Sequence, residues 1–327
     1  MQVLEKSGLV FRANHDLFVD ARGIRKESAI ITHGHSDHAY ISKSNKYFLT
    51  PETASLVGAE SKKCSFERIP FNKRFSVGDF DCTFKPSGHI LGSAQVEICN
   101  GKQAVLTSDF KLQKSILFEG AEILPSEILV IETTFGKPEY NFPNREDVYE
   151  DMIKWAHRTL NAGSFIVLGG YSTGKAQELT KIVNELLGET PLVFSRIFQQ
   201  NKIYEKEGMK LGDYIELDYN LKDANVMLMP PHMINDNLLL ALQHQLGKNV
   251  ETAIATGWGA SKYKTFPLSD HADYNSLLKY VEESAPELVL TTHGFEEEFA
   301  KAVRRKLKIN ARPLSKEGQK SIAEFIS

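Results

Sequence analysis

Ser28-Ala29-Ile30-Ile31 is a short apolar run that leads into Thr32-His33-Gly34-His35-Ser36-Asp37-His38. Three imidazoles and one carboxylate packed after a predicted strand suit borderline-soft divalent metals, zinc above all. On a loop, His33 and His35 can face one ion, while Asp37 and His38 turn to a neighbouring one. The chain has only ten histidines, so chance clustering is a poor explanation for this segment.

Working outward, Gly88-His89 follows Pro86-Ser87, and Ser108-Asp109 ends a predicted strand in a carboxylate. Far downstream lie Ser269-Asp270-His271-Ala272-Asp273 and Thr291-Thr292-His293-Gly294. Each is bland alone, because a lone loop histidine is usually structural and aspartate is common at strand ends. Together they matter. Two zinc ions with open positions need about six protein ligands plus a water. His33, His35, Asp37, His38, His89, Asp109 and His293 supply them, with a carboxylate as the natural bridge.

The rest of the chain bounds the answer. At 327 residues, with Lys+Arg 39 against Asp+Glu 42, the protein reads as about two domains and not as a strongly basic polyanion binder. A hydrophobic share of 42% is ordinary for a globular protein, and no apolar run approaches the roughly 18 residues of a membrane span. The first residues are charged and strand-like, without a secretory signal's apolar centre, so a cytoplasmic location without membrane association is expected. Cys64, Cys82 and Cys99 are widely spaced and read as buried thiols.

Short strands dominate the first half. Leu9–Ala13 and Leu17–Ala21 read as a hairpin. Ala94–Ile98 and Gln103–Thr107 flank Asn100-Gly101, a hairpin signal that asks for positive φ at both turn positions. Glu127–Ile131 reads as a buried strand ending near Glu132. After Gly136 the pattern changes to alternating helix and strand, with Arg145–Leu160 and Lys175–Leu187 as helices around Ser164–Gly169. Strands return at Ala253–Thr256 and Leu288–Thr292, and Glu296–Leu307 reads as a helix. This describes an α/β protein with a β-rich core interrupted by an α/β insert.

With these motifs in order, the chain resembles the metallo-β-lactamase-fold nucleases of the β-CASP group, which includes messenger-RNA 3′-end processing factors and ligase-associated DNA exonucleases. The resemblance runs through THGHSDHA, PSGHILGSAQV, TSDF, VIETTFG, GKAQEL, LSDHADY and TTHG. The stretches ETTFGKPEY and LSDHADY look especially like the ligase-associated subgroup. It implies an αββα sandwich (1–140 and 256–327) with a shortened β-CASP-type cap (141–255), and an active site in the cleft between them.

Carried over residue by residue, it places one zinc on His33, His35 and His89 and the other on Asp37, His38 and His293, bridged by Asp109; manganese fits the same ligands. Glu132 matches the first β-CASP motif and His271 the second, where relatives hold a histidine near the scissile phosphate, oriented by the glutamate. The implied reaction is two-metal hydrolysis of single-stranded RNA or DNA, with Asp37, Glu132 and His271 as catalytic residues and processing or repair proteins as partners. Two rivals are a thioester or lactam hydrolase on the same fold, which leaves Glu132 and His271 unexplained, and a non-catalytic processing subunit, which the complete ligand set disfavours.

Other motifs carry weaker readings. Gly169–Lys175 satisfies GxxxxGK, but Ala176 follows where a Mg²⁺-binding hydroxyl belongs. Gly174 and Lys175 instead read either as a helix N-terminus that holds a substrate phosphate or as a plain turn. Trp258, Lys262 and Lys264 lie in a glycine-flanked stretch suited to base stacking and phosphate contact, or to a solvated loop. The tail from Lys301 to Lys320 is basic and reads as a solvated helix face or a nucleic-acid track. His15, His157, His232 and His244 match no ligand spacing and read as structural.

Overall fold

The computed structural model describes residues 1–59, 64–217, 221, 224–259 and 262–314. The chain forms two compact units: Met1–Leu112, Ala121–Tyr140 and the chain from Ala272 onward make the first, and Gln113–Gly120 with Asn141–His271 make the second.

Two sheets build the first unit. One runs in chain order through β1 (Gln2–Glu5), β2 (Leu9–Arg12), β3 (Asp16–Val19), β4 (Ser28–Ile30), β5 (Lys46–Leu49) and β6 (Ser65–Arg68). It is antiparallel up to β3 and parallel beyond. The other contains β7 (Arg74–Val77), β8 (Phe80–Pro86), β9 (Ala94–Asn100), β10 (Lys102–Leu106), β11 (Ile128–Thr133), β18 (Leu288–Gly294) and β19 (Asn310–Pro313). Its order is β19-β18-β11-β10-β9-β8-β7.

Side-chain alternation along these strands sorts the packing. Phe11, Val19, Phe48, Phe84, Val96, Leu106 and Val130 point between the sheets and form one core. Val105, Leu129, Ile131 and Val289 face the opposite way, against Leu277 and Val281 of α6 (Tyr274–Ser284) and Phe299 and Val303 of α7 (Glu296–Leu307). On the outer face of the first sheet, Val10, Phe18, Tyr47 and Leu49 pack with Ala54 of α1 (Pro51–Leu56). The layers are helix, sheet, sheet, helix, as an αββα sandwich requires. β11 is buried throughout, and its first four residues are apolar, because both of its faces are covered.

In the second unit the sheet is wholly parallel, ordered β14 (Ile215–Glu216), β13 (Leu192–Val193), β15 (Val226–Met229), β12 (Phe165–Gly169), β16 (Val250–Ala255) and β17 (Lys264–Phe266). The helices are α2 (Arg145–Asn161), α3 (Lys175–Glu185), α4 (Ser195–Lys206) and α5 (Asp236–Leu246). Ile166, Leu168 and Val226 meet Met152, Leu179 and Ile197 on one face, while Phe165, Val167 and Met227 meet Leu242 on the other. Burial of both faces explains the unbroken apolar runs of β12, β13 and β15.

Several expectations need correction. The insert ends at His271 and not at 255, because β17 adds to the parallel sheet beside β16. Gln113–Gly120, expected in the core, belongs to the second unit, where the Ile116 N–H donates to the Tyr149 hydroxyl at 3.2 Å. At the Asn100-Gly101 hairpin only Gly101 has positive φ, +69°. Of the cysteines, Cys82 is buried and its thiol is pushed up to about 12 by burial, but Cys64 is half-buried and Cys99 exposed. Lys301, Arg304 and Arg305 lie on the exposed face of α7, opposite buried Phe299 and Val303; Lys316 and Lys320 fall outside the described residues. His15, His157, His232 and His244 are exposed.

Candidate metal centre

The parallel strands β3 and β4 pair Val19 with Ile30, so their chain exits lie side by side. The first exit carries Asp20 and the second Thr32-His33. Asp20 Oδ1 accepts the Thr32 N–H at 2.9 Å and Oδ2 accepts the Thr32 hydroxyl at 2.7 Å. Oδ2 also lies 2.8 Å from Nδ1 of His38. The His38 Nε2 is thereby turned the other way, 3.6 Å from Asp109 Oδ2.

Asp109 arrives just past the end of β10, after Ser108, whose φ of +50° is rare for a residue with a side chain. The Ser108 hydroxyl lies 2.7 Å from that of Thr32, and Ser87 Oγ donates to Asp109 O at 2.8 Å. His89 follows Gly88 in the turn after β8. Its Nε2 is 3.7 Å from Asp109 Oδ2 and 3.1 Å from His35 Nδ1. His33 Nε2 lies 3.4 Å from the same Asp109 oxygen. One carboxylate oxygen is thus the meeting point of three imidazoles from two loops.

His293 is delivered by a bulge. β11 and β18 pair Glu132 with Thr292 and then Thr133 with Gly294, leaving His293 as the unpaired extra residue with φ +53°. A bulge re-aims the side chain it carries. Here the His293 ring stacks on His38 with centroids 5.5 Å apart. Gly294 cannot carry a Cβ, which would lie 2.5 Å from Thr133 O. Asp37 is less engaged: its side chain is 70% exposed, with Oδ2 4.0 Å from His38 Nε2.

The donor set fits a metal. His33, His35, His89 and Asp109 offer ligand atoms that all lie within 4.8 Å of one another. His33 Nε2 is buried without a hydrogen-bond partner, which is costly unless something binds it. Burial first, and then the neighbouring His38, hold His33 well below its ordinary value, keeping the ring neutral as a ligand must be. Burial would also depress His38, but Asp109 and the hydrogen bond and charge of Asp20 outweigh it and raise it to about 10.

Glu132 is 1% exposed at the end of β11. Its Oε1 accepts the Phe110 N–H at 3.0 Å and its Oε2 accepts the Thr134 hydroxyl. His271 is the last residue of the second unit, and the chain re-enters the first at Ala272, whose N–H donates to Phe110 O at 2.7 Å.

The glycine-rich turn in the second unit is no phosphate cradle. Lys175 is 2% exposed, and its ammonium donates to Glu178 and Asp270 at 2.8 Å each. The Gly174 N–H donates to Gln177 Oε1 at 2.7 Å and the Ala176 N–H to Tyr171 O at 2.9 Å. Burial works against the charge of Glu178, yet Arg145 and Lys175 draw it down to about 2. Trp258 is exposed, Lys262 pairs with Asp236, and Lys264 lies over the Phe266 ring at 5.0 Å.

Asp20 is the site residue that sequence reasoning missed. The available signal was a carboxylate at the exit of a strand just before the one that delivers His33.

Comparison with known proteins agrees with this geometry. The family described as "Zn-dependent metallo-hydrolase RNA specificity domain" matches residues 260–315. Over 302 residues the chain is 33% identical to a "Probable DNA ligase" of Opitutus terrae, covering 88% of this chain and 29% of that protein. It is 23% identical over 360 residues to an "RNase J-like protein" of Methanocaldococcus jannaschii, covering 86% of each. A solved structure from Enterococcus faecalis V583, titled a protein of unknown function, matches with a TM-score of 0.63 at 14% identity, over 89% of this chain and 80% of that one. That likeness speaks for the fold alone. With the αββα sandwich, the inserted parallel-sheet unit and the ordered histidine and aspartate motifs in place, these likenesses support a metallo-β-lactamase-fold β-CASP nuclease family for the chain.

Proposed function

We propose that the protein hydrolyses phosphodiester bonds of single-stranded nucleic acid with two zinc ions. The observation that carries this reading is the convergence of His33, His38 and His89 on Asp109 Oδ2, at 3.4, 3.6 and 3.7 Å. His33, His35 and His89 are assigned to one ion and Asp37, His38 and His293 to the other, with Asp109 between them. Asp37 turns inward to complete its set.

Bound there, zinc supplies Lewis acidity toward a phosphate oxygen and a nucleophilic water at neutral pH. The chain's own residues do the rest. Asp20 holds the His38 tautomer through Nδ1. Glu132 is held by the Phe110 N–H and the Thr134 hydroxyl, and His271 is assigned to give a proton to the leaving oxygen. Trp258 stacks a base and Lys264 meets the backbone. Gly174 and Lys175 are not part of the substrate surface.

Relatives named for RNA and for DNA chemistry both match the chain, and it spans less than a third of the ligase-named one. The sugar is therefore what the experiment decides. End-labelled RNA and DNA of one sequence are incubated with zinc-loaded protein, with Asp109→Ala as the contamination control. Cleavage of at least one strand, lost in the variant, is expected. Cleavage of neither by protein carrying two zinc ions overturns the proposal.

A further inference from the structure

Four charged side chains in the second unit form a closed, nearly dry quartet. Arg145 begins α2, Lys175 and Glu178 share the first turn of α3, and Asp270 lies in the loop after β17. Arg145 clasps Glu178 in bidentate fashion, Nε to Oε1 at 2.8 Å and Nη2 to Oε2 at 2.6 Å. Arg145 Nη2 and Lys175 Nζ both reach Asp270 Oδ1, at 3.2 and 2.8 Å. Lys175 also touches Glu178 Oε2 at 2.8 Å. Each cation meets both anions and the charges cancel. Arg145, Lys175 and Glu178 are 4%, 2% and 2% exposed.

A buried ionic network is a weak source of stability, since desolvation opposes it and apolar residues of similar volume often serve as well. What these charges hold is therefore informative. Arg145 Nη1 donates to Ser269 O at 2.6 Å, and Asp270 is gripped by its side chain. Ser269 Oγ accepts the His271 N–H and donates to His271 O, both at 3.0 Å. Three consecutive residues outside any helix or strand are thus tied down by a carbonyl, a carboxylate and a backbone amide. The ties end at the backbone of His271.

We propose that Arg145, Lys175, Glu178 and Asp270 are positioning residues that aim the His271 imidazole by immobilising the two residues before it. This rests on the reading of His271 as the group that serves the leaving oxygen. A catalytic side chain misplaced by about 1 Å can lose on the order of a hundredfold in rate. A rigid support is what such a group needs.

The test is a double-mutant cycle on the full zinc-loaded chain with an end-labelled single strand that it cleaves. Lys175→Met with Asp270→Asn removes one charge of each sign and leaves the Arg145–Glu178 pair intact, which favours folding. This variant should lower kcat by about 10- to 100-fold with KM within about twofold and zinc content unchanged. In a His271→Ala background the same pair of changes should cost no more than about twofold, because the group they aim is gone. An equal loss in both backgrounds, or wild-type kcat in the charge-balanced variant, overturns the proposal. His271→Ala alone at the wild-type rate would instead sink the reading of His271 itself. Amide exchange at His271, measured without substrate, should quicken in the charge-balanced variant; unchanged protection also overturns it.

Discussion

Asp20 and His38 are joined at 2.8 Å through Nδ1 of the ring, and Asp20 makes that contact from a backbone φ of +49°. Left-handed backbone at a residue with a side chain is kept only where its surroundings enforce it. Here the enforcement comes from two hydrogen bonds with Thr32. Asp20→Ala should weaken zinc binding by about 10- to 100-fold while every proposed ligand remains. Chelator competition measures it, and an unchanged dissociation constant would remove Asp20 from the site.

Protonation of the ion-free centre sets a pH dependence. His38 is raised to about 10, so its contribution to stability is fully present below about 6.5 and is lost as pH rises toward 10. His33 is depressed well below 6.5, so its contribution is present above 6.5 and is lost as pH falls. From these two groups, ion-free protein is most stable near neutrality. Denaturant midpoints between pH 7 and 9 in chelator should decline, and the decline should vanish in His38→Gln. Zinc binding at pH 8 should release about one proton from His38, read by calorimetry in buffers of different ionisation enthalpy.

Gly294→Ala should be severe for a single methyl group. The position has φ +102° and a Cβ would lie 2.5 Å from Thr133 O. A cost of at least about 2 kcal/mol is expected. Because His293 precedes it in the bulge, bound zinc should fall from two ions toward one. Chemical denaturation and metal analysis of the same sample check both outcomes.

Trp258→Ala separates substrate contact from folding. The indole is 44% exposed, so stability should stay within about 0.5 kcal/mol. If it stacks a base, single-strand affinity should fall by about 1–3 kcal/mol, roughly 5- to 150-fold. Fluorescence anisotropy with a labelled oligonucleotide on Asp109→Ala protein reads binding without turnover.

The candidate ligands were easy to nominate because their chemistry is local: His33, His35, Asp37 and His38 fall within one loop, and the others lie at or just past strand ends with clear apolar patterns. Asp20 was not, because its meaning depends on β3 and β4 lying parallel, which makes neighbours of two strand exits. Lys175 misled for a related reason. Its motif places it at an exposed helix start, while its burial depends on Asp270, 95 residues away. The insert boundary at 255 failed because a three-residue strand, β17, has too little apolar pattern to announce that it extends the sheet. Helices with a strong apolar stripe, such as Glu296–Leu307, were read to the residue.

The long insertion also bears on the order in which the molecule is made. Ile128 pairs with Leu288, so the seven-stranded sheet waits with β11 unpartnered on one side while Asn141–His271 of the second unit leave the ribosome. Yet the four most closely gathered ligands, His33, His35, His89 and Asp109, all precede that wait. Metal captured by this set would staple the nascent N-terminal half across its open sheet before His293 exists. If so, zinc supplied during synthesis should raise the yield of folded chain above that reached when it is added afterwards.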